Sequence, residues 1–328
     1  MSNKKLNDFK NATDKQLKFR GKLIKAVMPN ACKSWMKFAN AMLAVFYKGK
    51  KMGKGFNYSQ TYVCTEHNKK LRLCIYKRKN STAKNKPLVF WIHGGGYGIG
   101  VPEQEVSFFK DFLSVSDCVI VSPDYIRSVE LPYPSALLDC YDALLWAKEN
   151  AKELEINPSQ IFIGGESAGG GLCLALALYA RDKKQVNIAF QMPIYPMIDN
   201  RPTKTNQNNG APVWNSKSND NAWRIYLGKL YGSDSIPYYA VPATAPDFSN
   251  LPTTLTYVGD IEPFTAETQE LVKRLESAGI KTFFKLCKGC YHGFDVVCPN
   301  AQISKDARLF LREGFEYAVN NCFAKQNN

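Results

Sequence analysis

The chain of 328 residues is long enough for one large domain or two of ordinary size. Hydrophobic residues make up 45% of it and charged residues 22%, which excludes a disordered, collagen-like or coiled-coil chain. No stretch of sequence approaches the roughly 20 uncharged apolar residues of a membrane-spanning helix. The N-terminal sequence does not have the pattern of a secretory signal, so we expect a cytoplasmic location.

The net charge of +14 is concentrated in the N-terminal quarter. Residues 1–86 carry 22 Lys or Arg against three acids, whereas the remaining residues carry 21 basic and 26 acidic side chains. A basic segment can attract nucleic acid, an anionic membrane or an acidic ligand. The sequence holds no nucleic-acid-binding signature, so nucleic acid is not an expected partner. A solvated lysine-rich surface is the simpler interpretation, and weak association with anionic membranes is the alternative.

The predicted elements change character along the chain. Residues 1–56 are polar, with apolar residues at the three-to-four spacing that is typical of helices. Beyond them, short apolar runs that read as strands alternate with amphipathic helices. The predicted strands are 62–64, 71–76, 88–92, 118–122, 161–163, 188–194, 253–258 and 282–286. The predicted helices are 136–154, 172–180, 266–278 and 303–319. This alternation predicts an α/β fold with a mostly parallel central sheet flanked by helices.

Residues 201–247 interrupt the alternation. They are rich in Asn, Pro, Trp and Tyr and are too numerous for a simple loop, which predicts an inserted cap. The expected organisation is a basic helical cap segment over 1–56, a first part of the core over 57–200, the cap insertion over 201–247 and a second part of the core over 248–328.

The strongest chemical signal is the pentapeptide Gly165-Glu166-Ser167-Ala168-Gly169. It follows a predicted strand and opens a predicted helix, which is the context of a nucleophile elbow. The turn must be sharp to lift a serine hydroxyl above the sheet, and its glycines avoid a Cβ clash. The helix N-terminus places partial positive charge beside the hydroxyl. The pattern predicts Ser167 as a nucleophile.

A second signal is His93-Gly94-Gly95-Gly96-Tyr97, directly after the predicted strand 88–92. Consecutive glycines expose backbone N–H groups to a ligand. The dinucleotide-binding and P-loop patterns both fail here, because the glycine or the Gly-Lys-Ser/Thr that each needs is missing. An oxyanion hole fits better, with the N–H groups of Gly94, Gly95 and Ala168 as donors.

A third signal is Tyr291-His292-Gly293-Phe294, after the last predicted strand. The chain contains three histidines. His67 lies in a charged hairpin and is expected at the surface, and His93 is expected to hold the glycine loop by a hydrogen bond. His292 is therefore the predicted general base.

The acid is expected between the serine and this histidine, after the predicted strand 253–258. Both Asp260 and Glu262 are candidates, and spacing alone leaves both open. The order serine, acid, histidine is that of the α/β hydrolases.

The ten cysteines include one spaced pair, Cys287-Lys-Gly-Cys290. Such a pair can be redox-active or supply half of a zinc site. No second pair of this spacing exists to complete four ligands, so no metal site is predicted. Structural thiols are the expected interpretation, and a redox role stays open.

At these motifs the chain resembles the α/β-hydrolase family related to hormone-sensitive lipase. The likeness covers about residues 60–320 and includes further segments: Ser122–Tyr125, Glu130–Pro134, Tyr195–Asp199 and Pro212–Asn215. It implies a serine carboxylesterase with a helical cap built from the N-terminus and an insertion, acting without a metal or other cofactor. The family usually has Asp-Pro-Leu at the acid, and the matching triplet here is Glu262-Pro263-Phe264. The resemblance therefore selects Glu262 over Asp260.

The expected function is hydrolysis of short-to-medium acyl esters of small molecules through an acyl-enzyme on Ser167. The same triad would serve an amidase, peptidase or sugar deacetylase, and a non-catalytic ligand-binding protein on a hydrolase fold is a further alternative. Four aromatic residues are candidates for the substrate pocket, although aromatics at such spacing more often pack in a core or cap. They are Tyr97, Trp214, Trp223 and Tyr226. Nothing in the sequence predicts the oligomeric state.

Overall fold

The computed structural model of the chain describes residues 12–50, 55–65 and 70–326. A single eight-stranded sheet lies at the centre of this part of the chain, in the order β1-β2-β4-β3-β5-β6-β7-β8. β1 pairs antiparallel with β2, and β2 pairs antiparallel with β4; all other neighbours are parallel. The strands are β1 Phe56–Cys64, β2 Lys70–Arg78, β3 Lys86–Ile92, β4 Val119–Pro123, β5 Ile156–Glu166, β6 Phe190–Ile194, β7 Thr253–Gly259 and β8 Thr282–Cys287. The predicted mostly parallel α/β sheet is confirmed. His67 lies outside the described residues.

Helices cover both faces of this sheet. In chain order they are α1 Lys18–Val27, α2 Lys33–Phe46, α3 Val106–Val115, α4 Ser135–Glu149, α5 Ala151–Leu154, α6 Ala168–Lys183, α7 Ser216–Leu227, α8 Thr265–Ser277, α9 Phe294–Val297 and α10 Gln302–Asn321. None of the helices in the described part of the chain is long and apolar enough to cross a membrane.

The central strand β3 shows why the core has two layers. Leu88, Phe90 and Ile92 pack into one apolar cluster with α4 and α6. Val89 and Trp91 point to the opposite face and pack into a second cluster with α3 and α10. Successive side chains of a strand alternate between its faces. An uninterrupted apolar run is therefore what a strand covered on both sides requires.

Several elements differ from the sequence-based expectation; strand β1, for example, begins at Phe56 and not at residue 62. Helix α3 was not predicted, although its phenylalanines recur at helical spacing and two of them, Phe108 and Phe112, pack on the Trp91 ring at 4.9 and 5.1 Å. Strand β5 begins at Ile156 because that residue pairs with Lys86 of β3. The helix predicted over 136–154 is broken at Asn150, which has non-helical backbone angles.

The N-terminal helices and residues 201–247 contact each other. Between α1 and α2, the N–H of Ala31 donates to Ser218 Oγ at 3.0 Å, and Asn221 Nδ2 donates to the Ala31 carbonyl at 2.8 Å. Ser218 and Asn221 lie on α7, within the segment that interrupts the strand–helix alternation. The two segments predicted as cap therefore contact each other, and both also contact the loop after β3, through Asn40 with the Gly98 carbonyl and through Trp214 with Gly96.

Candidate active site

Ser167 lies in the tight turn between β5 and α6. Its backbone has φ +58° and ψ −119°, a conformation that non-glycine residues rarely adopt. A Cβ at Gly165 would collide with the carbonyls of Gly169 and Ile92, and one at Gly169 would collide with the Ile92 carbonyl. The absence of a side chain at Gly165 and Gly169 therefore allows this turn to pack directly against the end of β3.

The Ser167 hydroxyl contacts His292. Ser167 Oγ lies 2.8 Å from His292 Nε2, and His292 Nδ1 forms a short hydrogen bond with Glu262 Oε2. All three side chains are buried. The second Glu262 oxygen accepts the N–H of Gly259 at 2.8 Å, which fixes the carboxylate in place. Burial raises the pKa of Glu262, and the facing His292 opposes that rise.

The His292 ring is held by two aromatic side chains. Tyr195 and Phe264 each meet the ring edge-on, with centroids 4.9 Å away. Phe264 comes from the same turn as Glu262, and Tyr195 directly follows β6. These contacts fix the plane of the imidazole while its two nitrogens face the serine and the carboxylate.

The alternative acid, Asp260, does not reach His292. Its Oδ1 accepts the N–H of Gly289 at 2.7 Å, in the loop that follows β8. Its carboxylate is therefore used to hold that loop. The structure brings Glu262, and not Asp260, to the histidine.

The glycine loop after β3 lies between Glu166 and Trp214. A Cβ at Gly94 would collide with the Glu166 carboxylate. Burial raises the pKa of Glu166, and the adjacent Gly94 backbone opposes that rise. Gly94 as an oxyanion donor stays a prediction. In the described residues no protein acceptor is paired with the N–H of Gly95 or Gly96. Gly96 lies against the Trp214 ring, which in turn is 6.5 Å from the His292 ring. Gly96, the third glycine of the run, was not among the donors predicted from the sequence.

His93 is fully buried beneath the loop. Its ring stacks on Tyr125 with centroids 4.2 Å apart, and its Nδ1 lies 2.9 Å from the Gly94 carbonyl. Burial lowers the pKa of His93 to about 4. A neutral imidazole that braces the loop, as expected from the sequence, accounts for these contacts.

A family model of the alpha/beta hydrolase fold matches residues 89–296, which contain all of these loops. The chain belongs to the alpha/beta hydrolase fold family. The family predicted from the motifs is therefore confirmed.

Several relatives of this alpha/beta hydrolase are named as esterases. An arylesterase of Saccharolobus solfataricus is 30% identical over 213 residues, which cover 64% of this chain and 69% of the relative. The carboxylesterase NlhH of Mycobacterium tuberculosis is 30% identical over 224 residues, covering 66% and 70%. Among solved structures, a bacterial heroin esterase superposes with a TM-score of 0.85 at 27% identity, covering 94% of this chain and 98% of that one.

Three of the four candidate pocket aromatics of this alpha/beta hydrolase pack against one another. Tyr97, Trp223 and Tyr226 are buried against one another, with the rings of Tyr97 and Tyr226 stacked at 3.8 Å. The Tyr97 hydroxyl donates to the Met197 carbonyl at 2.6 Å. These contacts are those of core packing, and a place for the three side chains in the substrate pocket stays a prediction. Trp214 alone lies beside the catalytic histidine candidate.

The Cys287 and Cys290 thiols are both buried. Burial raises the pKa of Cys287 to about 12 and that of Cys290 well above its ordinary range. Thiols that stay protonated at neutral pH are poor nucleophiles and poor metal ligands. This environment favours structural thiols in this alpha/beta hydrolase.

Proposed function

We propose that this chain is a serine carboxylesterase that hydrolyses short-to-medium acyl esters of small molecules through an acyl-enzyme on Ser167. The observation that carries the proposal is the unbroken hydrogen-bonded line from Ser167 through His292 to the buried Glu262. The esterase relatives support the same class of reaction.

In the proposed mechanism, His292 Nε2 removes the proton of Ser167 Oγ as the oxygen attacks the ester carbonyl. The resulting imidazolium is stabilised by Glu262, which accepts a hydrogen bond from Nδ1–H and does not itself become protonated. His292 then protonates the departing alcohol, leaving Ser167 acylated. A water molecule, activated by the same nitrogen, hydrolyses the acyl-enzyme and restores the free serine.

The oxyanion hole is proposed to use the N–H groups of Gly95, Gly96 and Ala168. Ala168 is the first residue of α6, so its N–H has no partner within the helix. Gly95 and Gly96 both have positive φ, at +113° and +58°, whereas Gly94 lies against the Glu166 carboxylate. Each such donor typically lowers the barrier by roughly 3 kcal/mol.

Three further features belong to the same proposal: a cap, a cellular location and a membrane association. We propose that residues 1–56 and 201–247 act as a cap over the two core parts, 57–200 and 248–328, and that the cap restricts the acyl group to about C2–C8. All ten cysteines lie in the described residues and are free thiols, which suits a reducing, cytoplasmic location. The basic N-terminal segment is proposed to associate weakly with anionic membranes.

The test is hydrolysis of p-nitrophenyl esters from acetate to palmitate by the wild type and by Ser167→Ala. We expect turnover that peaks at short chains and falls by at least about 10,000-fold in the variant. Wild-type rates in Ser167→Ala would overturn the nucleophile, and faster turnover of long-chain triacylglycerol emulsions would overturn the preference for short chains.

The triad geometry alone would equally serve amides or acetylated sugars. Comparing kcat/KM on a matched acetyl ester, acetanilide and acetylated sugar separates these reactions, and we expect the ester to be fastest. Failure to turn over any of the three, together with tight binding of a small ligand, would favour a non-catalytic binding protein.

A further inference from the structure

Helix α1 turns an apolar stripe away from the protein. Its inner face is seated at Gly21, where a Cβ would lie 2.8 Å from the Tyr291 ring, and the Tyr291 hydroxyl donates to the Leu17 carbonyl at 3.3 Å. Successive helical residues are separated by about 100°, so Phe19 and Leu23 lie on the side opposite Gly21. Phe19 is 78% exposed and Leu23 is 54% exposed. Val27, a further turn along, is 70% exposed.

Helix α2 repeats this arrangement. Its inner face carries the buried Met36 and Asn40, whose side chain donates to the Gly98 carbonyl at 2.8 Å and accepts the N–H of Gly100 at 3.0 Å. The face opposite Met36 carries Phe38 and Val45, which are 57% and 76% exposed. Met42 and Phe46 extend the same stripe and are also exposed.

The surroundings of both stripes are strongly basic. Residues 12–50 contain nine Lys or Arg and a single acid, Asp14. Lys33 and Lys37 on α2 are exposed, and the Lys50 ammonium lies 5.4 Å from the ring of the exposed Tyr47. Apolar residues on one helical face with lysines beside them are typical of helices that lie in a membrane interface.

We infer that the outer faces of α1 and α2 form a docking surface for anionic phospholipid membranes. Scattered exposed apolar residues are common, but a contiguous stripe on each of two neighbouring helices marks an interaction site. Its charge decides between partners: a second copy would bring two basic faces together, whereas anionic headgroups neutralise the lysines while the apolar side chains enter the acyl region. Each lysine near such a surface contributes roughly fivefold to binding.

The inner faces of the same helices contact Tyr291, next to His292, and the loop that follows the glycine run. A docked membrane would therefore lie over the candidate active site and present bilayer-dissolved esters to it. That consequence rests on the proposed esterase activity, whereas the docking, which assigns the proposed weak membrane association to two helix faces, does not.

The experiment is flotation of the full chain with phosphatidylcholine vesicles, with and without about 30 mol% phosphatidylserine. We expect binding to the anionic vesicles only, and its loss in about 0.5 M NaCl. Phe38→Gln with Val45→Gln keeps the charge and removes apolar surface, and should weaken binding by about tenfold or more. Lys33→Gln with Lys37→Gln should weaken it by about 25-fold.

Phe323→Gln is the matched control, because Phe323 is 59% exposed but lies beyond α10. It should bind as the wild type does, and so should Ser167→Ala, which separates docking from catalysis. Circular dichroism and hydrolysis of a soluble short ester verify that the surface variants are folded. Absence of binding to anionic vesicles, or equal binding by the Phe38/Val45 and Phe323 variants, would overturn the inference. A wild-type dimer that dissociates in the Phe38/Val45 variant would instead identify a self-association face.

Discussion

Asp260 and Glu262 lie two residues apart and hold opposite ends of one short segment, residues 289–292. Asp260 accepts the N–H of Gly289 at 2.7 Å, and Glu262 accepts a hydrogen bond from His292 Nδ1. Two neighbouring carboxylates thus have separate tasks: one anchors the loop backbone and the other faces the imidazole. Their substitution provides a matched pair.

Glu262→Gln should lower kcat for p-nitrophenyl butyrate by about 10,000-fold, because an amide cannot stabilise the imidazolium and favours the wrong tautomer. Asp260→Asn removes one charge-assisted hydrogen bond to the loop. It should keep kcat within a few-fold of the wild type and lower the free energy of unfolding by about 2 kcal/mol. A larger loss of kcat in Asp260→Asn than in Glu262→Gln would reverse the assignment.

His93 makes stability depend on pH. Its pKa is about 4 in the folded chain and about 6.5 when unfolded. The unfolded state therefore binds more protons between these values, and the free energy of unfolding falls as the pH drops from 6.5 towards 4. Between pH 8 and pH 5 the contribution is on the order of 2 kcal/mol.

Urea unfolding of wild type and His93→Asn at both pH values isolates this contribution. The asparagine can keep the hydrogen bond to the Gly94 carbonyl without titrating. We expect the variant to lose less stability on acidification than the wild type. Identical losses in the two proteins would show that His93 is not the titrating group.

Asp295 anchors the aromatic side chain that packs on His292. It accepts hydrogen bonds from the hydroxyls of Tyr195 and Tyr257 at 3.0 and 2.8 Å, and Arg308 donates to it at 3.4 Å. Asp295→Ala leaves a buried guanidinium and two buried hydroxyls without this acceptor. It should cost about 3–5 kcal/mol of unfolding free energy.

The control for this loss is Asp111→Ala. Asp111 pairs with Arg308 from a more exposed position, so we expect a loss of roughly 1 kcal/mol. Equal losses of unfolding free energy in the two variants, measured by urea unfolding, would contradict the prediction that Asp295 contributes more to stability than Asp111.

The ten thiols should divide by exposure. Cys32 and Cys64 are exposed and the other eight are buried. Native protein should release about two equivalents of thionitrobenzoate quickly from Ellman's reagent and about ten in urea, since reaction needs an accessible thiolate. Cys32→Ser should remove one fast equivalent. If Cys287→Ser reduced the number of fast-reacting thiols, Cys287 would be accessible in the native protein, which would support the redox interpretation of the Cys287/Cys290 pair.

How far the sequence predicts this molecule depends on the range of the interactions involved. Ser167 was recognisable because the elbow is built from five consecutive residues between a strand and a helix. The contact of Gly94 with the Glu166 carboxylate could not be predicted, because the two residues are neighbours only in the folded chain. The same reason applies to Tyr97, whose hydroxyl donates to the Met197 carbonyl.

Glu262 shows the complementary case. Spacing alone did not distinguish Glu262 from Asp260 as the acid, and the family resemblance selected Glu262. The structure explains the choice by reach, since Asp260 points to Gly289. Helix α3 was missed for another reason: its helical spacing was present in the sequence, but no chemical motif drew attention to it.

The backbone of Ser167 has a consequence for selection. At φ +58° the backbone of a glycine is less strained than that of a serine. Ser167→Gly should therefore relieve local strain and give a more stable chain that lacks the catalytic nucleophile. Selection for stability alone would therefore move this position away from serine. A residue kept in a backbone conformation that its side chain disfavours indicates a function under selection. The structure of a single protein is enough to identify such a residue.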